Sequence, residues 1–160
     1  MKRLISILLT LAMIFTAGCS GSEDKFNTEG FDAGKFYDSV SSMTSDQLAV
    51  LDDTYISNYY GIDIADLDSY VFAQSEDPNS AETIILFKCG DEAKRGEYIK
   101  AVQNAVSQKA DELKNYNQPE QAKLVEDCKM GQANDLVYVI ISSSADDIYE
   151  ALEKELLARR

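Results

Sequence analysis

From Phe36 to Leu67 the apolar residues recur at helical intervals, Phe36, Val40 and Met43 first and then Leu48, Leu51, Tyr55 and Tyr59. That spacing predicts short helices, stopped at Gly61. A small turn, Asp63-Ile64-Ala65-Asp66-Leu67, precedes a first strand over Tyr70 to Gln74. Ser75 to Ala81, with Pro78 and Asn79, reads as a polar hairpin loop, and Glu82 to Cys89 as the second strand. After Asp91 the residues Ile99, Val102, Val106, Ala110 and Leu113 repeat at three and four, the signature of a long amphipathic helix ending before Asn115-Tyr116-Asn117-Gln118-Pro119. A shorter helix, Glu120 to Asp127, leads into a third strand, Cys128 to Gln132, which Asn134-Asp135 turns back into a fourth, Leu136 to Ile141. The last helix starts after Ser143 or Ser144 with Asp146 and Asp147 in its first turn and Arg159-Arg160 at its end, charges that suit the helix dipole at both termini.

The order is therefore short helices followed by β-β-α-β-β-α, an α+β fold with a four-stranded, mostly antiparallel sheet and helical layers. Ile84 to Phe87 and Leu136 to Ile141 are apolar without alternation, so these two strands should be covered on both faces and the other two should form the edges. The two long helices are expected on one face, leaving 36–67 to cover the other.

The first nineteen residues follow another pattern. Lys2 and Arg3 precede an apolar run of twelve residues, Leu4 to Phe15, which meets Thr16-Ala17-Gly18 directly before Cys19. A charged start, a short apolar stretch and small residues at the end mark a secretory signal. Twelve residues fall short of the roughly 20 that cross the hydrocarbon layer. With cysteine at the cut, the segment resembles a lipoprotein signal peptide, residues 1–18, although Thr16 stands where such leaders usually carry Leu. The resemblance implies cleavage between Gly18 and Cys19 and a diacylglycerol on the Cys19 sulfur, with palmitate-type chains. Two acyl chains, at about 0.8 kcal/mol per buried CH₂, anchor durably where one would come and go. The glycine-punctuated stretch through residues 19–35 reads as a flexible tether, and 36–160 as a single domain.

Charge narrows the partners. Without Lys2 and Arg3 the chain carries 13 basic against 28 acidic residues, a formal charge of −15. Phosphate backbones repel such a surface, which argues against nucleic acid. No histidine is present, which removes Ser-His-Asp and Cys-His catalysis and His-ligated zinc. Neither a cofactor nor a metal is called for, and the chain does not read as an enzyme.

The remaining candidates are few. Cys89 and Cys128 would remain in the mature domain, and an exported pair invites a disulfide, with two free thiols as the alternative. Asp63, Asp66 and Asp68 form a carboxylate group without the glycine and distal glutamate of a calcium loop, so turn and cap roles fit better. Ser142-Ser143-Ser144 opens a helix without Gly-x-Ser-x-Gly and reads as an N-cap. Tyr55, Tyr59, Tyr60 and Tyr70 are expected near one sheet end, as a core seam or a stacking surface.

The run Leu51-Asp52-Asp53-Thr54-Tyr55-Ile56-Ser57-Asn58-Tyr59-Tyr60-Gly61-Ile62-Asp63, with Tyr70-Val71-Phe72, Glu82 to Lys88 and Tyr138-Val139-Ile140-Ile141-Ser142, resembles a lipoprotein family of clostridial Gram-positive bacteria catalogued as domain of unknown function four-three-five-eight. The resemblance covers most of residues 36 to 157 and implies the extracytoplasmic face of a cell membrane. It carries over no catalytic residue. The expected role is a non-catalytic binding or accessory module of the cell envelope, held by lipid through Cys19 and meeting an envelope protein partner. The alternatives are a carboxylate-dependent envelope hydrolase and a small-ligand receptor serving a transporter.

Overall fold

The computed structural model describes residues 26–159. The signal peptide, the cut between Gly18 and Cys19 and the lipidation site at Cys19 lie outside the described residues. Ten elements follow one another: α1 (Ala33–Val40), β1 (Leu48–Val50), α2 (Asp53–Tyr60), β2 (Ser69–Ser75), β3 (Thr83–Lys88), α3 (Glu92–Asn115), α4 (Pro119–Glu126), β4 (Lys129–Ala133), β5 (Leu136–Ile141) and α5 (Ala145–Ala158), with 3₁₀ turns at Ser41–Met43 and Ile64–Asp66.

The sheet has five strands rather than the expected four, all antiparallel, in the order β1-β2-β3-β5-β4. The additional strand is β1, whose Leu48, Ala49 and Val50 pair with Ser75, Gln74 and Ala73. Three residues are too short to display alternation, and Leu48 and Leu51 happen to stand at a helical interval, so the segment reads as helix in sequence. The helix proper waits for Asp52, whose side chain accepts from the Tyr55 N–H, and closes at Gly61 in the left-handed conformation, φ 67°.

That short strand also redistributes the layers. Because β1 runs along the sheet edge, α1 and α2 on either side of it fall on opposite faces. One core lies between the sheet and α2, α3 and α4, built on Phe72, Ile85, Phe87, Val102, Val106 and Val125. The other lies between the sheet and α1 and α5, built on Phe36, Val40, Ile84, Leu86, Ile148 and Leu152. The long helices α3 and α5 are thus on different faces, not together as expected. Neighbours on β3 point alternately to the two cores, so Ile84, Ile85, Leu86 and Phe87 are all at most 1% exposed, in keeping with the unalternating apolar run.

The expected tether is shorter than residues 19–35. Thr28 and Phe31 are buried, and the segment is fastened to α5, with the Asn27 N–H donating to the Leu156 carbonyl and its side-chain amide to the Arg159 carbonyl at 2.7 Å. Asn134, in the β4–β5 turn, donates to the Phe26 carbonyl at 2.7 Å. The polar composition here supplies fixed hydrogen bonds rather than slack.

Gly131 on the edge strand β4 faces Tyr138 of β5. A Cβ there would fall well inside van der Waals contact with the Tyr138 ring and hydroxyl. Gly131→Ala should therefore cost about 1–3 kcal/mol by overpacking, read as a lower urea midpoint.

Candidate functional site

The strand register sorts the candidate residues to two ends of the sheet. At one end lie the start of β2, the end of β3 and the β4–β5 turn; at the other lie the β2–β3 hairpin and the start of α5. Cys89 follows Lys88, which pairs with Leu136, whereas Cys128 precedes Lys129, which pairs with Ile140. Four rungs of strand, about 13 Å, therefore separate their neighbours, and the disulfide that sequence allowed would need Cα atoms within about 7 Å. Both thiols are free. Burial pushes each one's pKa up, which suits packing rather than nucleophilic attack.

The three aspartates before β2 have separate duties. Asp63 caps the 3₁₀ turn by accepting from the Ala65 N–H at 3.0 Å. Asp66 accepts from the Lys94 ammonium and the Tyr98 hydroxyl, both at 2.5 Å, tying the turn to the first half of α3. Asp68 lies beside Gly90. Among the described residues no three histidine, cysteine, aspartate or glutamate side chains are grouped to hold a metal ion.

The bonds to Lys94 and then Tyr98 hold the Asp66 carboxyl below its ordinary value of 3.8. Burial, and then the bond to Asp66, push Tyr98 up to about 12. A depressed carboxyl contributes stability that is complete above the unfolded value and is lost as pH falls through the folded one. Asp66→Asn should therefore flatten the dependence of stability on pH below 3.8, measured by urea unfolding at stepped acid pH.

At the opposite end sequence reading missed the most buried carboxylate among the described residues. Glu82 is 3% exposed. Its oxygens accept the Ser45 and Asp46 N–H groups at 3.2 and 2.8 Å and the Ser142 hydroxyl at 2.9 Å. The lone acid heading an apolar strand was the available signal. Ser142 serves this bond and accepts from the Ser144 N–H, while Ser144 at the N-cap of α5 makes no side-chain cap bond. The expected side-chain cap on α5 is therefore not made, and Ser142 closes a local turn onto the N-cap residue instead.

The tyrosines form a ladder from surface to core. Tyr55 stacks on Tyr59 with centroids 5.4 Å apart, Tyr59 meets Tyr60 edge-on at 4.8 Å, and Tyr60 leans on Phe72 at 5.2 Å. Tyr70 donates to Asp53 at 2.7 Å. Tyr60 is core, as a core seam expects, whereas Tyr55 and Tyr59 are 40% and 51% exposed. With Val50, 60% exposed at the end of β1, they concentrate exposed apolar surface on the β1–α2 corner, rimmed by Asp52, Asp53 and Asn58. This corner is the best candidate for a binding face among the described residues. The protein family model described as "Domain of unknown function (DUF4358)" matches residues 28–142. The chain belongs to this family. No curated protein and no solved structure matches it.

The DUF4358 match begins at Thr28, inside the docked segment, and ends at Ser142, the residue that bonds Glu82. The clamp of Ser45 and Asp46 on Glu82 and the β1–α2 corner therefore both lie within the family's span. Beneath the corner, Tyr59, Tyr60, Gln74, Thr83 and Lys109 line a cavity of about 40 Å³ over an apolar floor, room for a water molecule or so. Burial lowers the Lys109 pKa there, with Glu112 opposing the shift.

Proposed function

We propose that this DUF4358 protein is an extracytoplasmic lipoprotein, anchored in the cell membrane through acylated Cys19, and that its domain is a non-catalytic binding or accessory module of the cell envelope. The observation that carries the reading is the leader: Lys2-Arg3, the apolar run Leu4 to Phe15, and small residues abutting Cys19. The β1–α2 corner supports a binding role, because Tyr55 and Tyr59 offer aromatic area whose exposure the fold does not require. Two of the carboxylates have structural duties. Asp32, through the Lys35 N–H, and Asp66, through Lys94, are both shifted downward, away from what a general acid needs. No helix of the described residues is long and apolar enough to cross a membrane.

The binding part is tested with a photo-crosslinking residue at position 59 and another at the exposed position 100 of the neighbouring helix α3 in the anchored protein in cells. Adducts with an envelope protein should form from 59, be lost with Tyr55→Ala, and be absent from 100. Equal adducts from both positions would refute a binding face at this corner.

A further inference from the structure

The way the N-terminal segment is fastened fixes where an anchor at Cys19 would pull. Phe26 lies against the β4–β5 turn through Asn134, Asn27 bonds the last turn of α5, and Arg159 donates to the Glu29 carbonyl at 3.3 Å with its guanidinium 5.7 Å from the Phe31 ring centroid. Gly30 completes the wrap at φ 64°, close under Arg159. The chain therefore leaves the domain at one corner, and seven residue steps separate Phe26 from Cys19. Even fully extended they reach about 25 Å at most. The sheet itself runs about 20 Å from this end to the other, taking the six residues of β5.

We infer that the end of the sheet bearing the β4–β5 turn, the docked segment 26–31 and the last turn of α5 is the surface that faces the lipid bilayer. The inference rests on the Cys19 anchor proposed above. Leu157, an exposed apolar side chain, is on this last turn. This end is acidic too, with Asp63, Asp66, Asp68 and Asp91 around it; Asp66 pairs with Lys94 at 2.5 Å, Asp135 with Lys88 at 3.7 Å and Glu155 with Arg159 at 2.7 Å. The opposite loops carry Asp46, Glu76, Asp77, Asp146 and Asp147 with Lys129, which pairs with Asp146, so both ends are acidic and it is the docked segment, not charge, that sets the orientation.

The chain has no tryptophan, so one introduced indole is an unambiguous fluorescence donor. The mature chain beginning at Cys19, with Cys89→Ser and Cys128→Ser, is coupled through Cys19 to maleimide-headgroup lipid in phosphatidylglycerol vesicles containing dansyl-phosphatidylethanolamine. Gln132→Trp and Lys35→Trp report from the proposed lipid-facing end, and Glu76→Trp from the far one. Donor quenching should be at least about twofold greater for Gln132→Trp and Lys35→Trp than for Glu76→Trp, given the ~20 Å between the ends. Equal quenching at the two ends, or the reverse order, overturns the inference. Releasing the clamp with Asn27→Ala and Arg159→Ala should shrink the difference while the far-ultraviolet spectrum stays unchanged; a difference that survives release overturns the role of the docked segment. Because the coupling is chemical, this outcome is independent of whether cells acylate Cys19. A lost anchor and a wrong orientation are thereby told apart.

Discussion

Glu82→Ala should lower the stability of the domain by about 3 kcal/mol, read as a fall in the urea midpoint without a change of slope. The wild-type carboxylate is buried and takes two backbone N–H groups and one hydroxyl, so its removal takes a partner from the Ser45 and Asp46 N–H groups and strands the buried Ser142 hydroxyl. A buried orphan costs about 1–3 kcal/mol, and the two backbone bonds, made to a charged acceptor, add to it. Glu82→Gln should recover part of the loss, because its amide oxygen can keep one donor while its NH₂ confronts the other. The effect should extend beyond the local bonds. Ser45 and Asp46 begin the approach to β1, and Asp46 also accepts from the Ser75 hydroxyl at 3.3 Å. Freed from Glu82, the segment 44–50 should gain amide hydrogen exchange ahead of the rest of the sheet. An unchanged midpoint would mean that water satisfies those donors as well as the carboxylate does.

Phe87→Ala is expected to cost about 3–5 kcal/mol, the range for a large aromatic removed from a close-packed core. Phe87 is 0% exposed, lies parallel to Phe72 at 6.0 Å and meets Tyr98 edge-on at 6.4 Å. It is the link between the tyrosine ladder descending from α2 and the Asp66-Lys94-Tyr98 contacts on α3. The cavity left by alanine should therefore loosen Tyr98 and with it the hold on Asp66, so that part of the acid-pH dependence assigned to Asp66 is lost in the same variant. Tyr55→Ala, at the exposed head of the ladder, should by contrast leave thermal stability nearly unchanged.

Much of this fold is legible in the order of residues because two signals are strong. The unalternating runs Ile84 to Phe87 and Leu136 to Ile141 mark the inner strands β3 and β5, and the three-and-four spacing from Ile99 to Leu113 marks α3. What escaped were features made by tertiary contact. β1 is a strand because β2 offers it an edge, and its three residues carry no period of their own. Residues 26–32 look like linker because their fixing partners, Leu156, Arg159 and Asn134, are more than a hundred positions away. Glu82 looks like an ordinary strand start until Ser45 and Ser142 are brought to it. The same long-range closure separates Cys89 from Cys128, since an antiparallel ladder puts the end of β3 and the start of β4 at opposite ends of the sheet. The family shared with other DUF4358 chains was readable from packing and turn residues, which identify a fold and carry no chemistry.

The central claim is the anchor, because the address, the short reach from the membrane and the orientation all descend from it. Its most direct measurement is metabolic labelling of cells with a clickable fatty acid, comparing the wild-type protein with Cys19→Ser. The account predicts label on the wild type and none on the variant, with the variant also accumulating at the mass of the uncleaved chain. Label retained by Cys19→Ser, or a wild-type protein that takes up none, would contradict it.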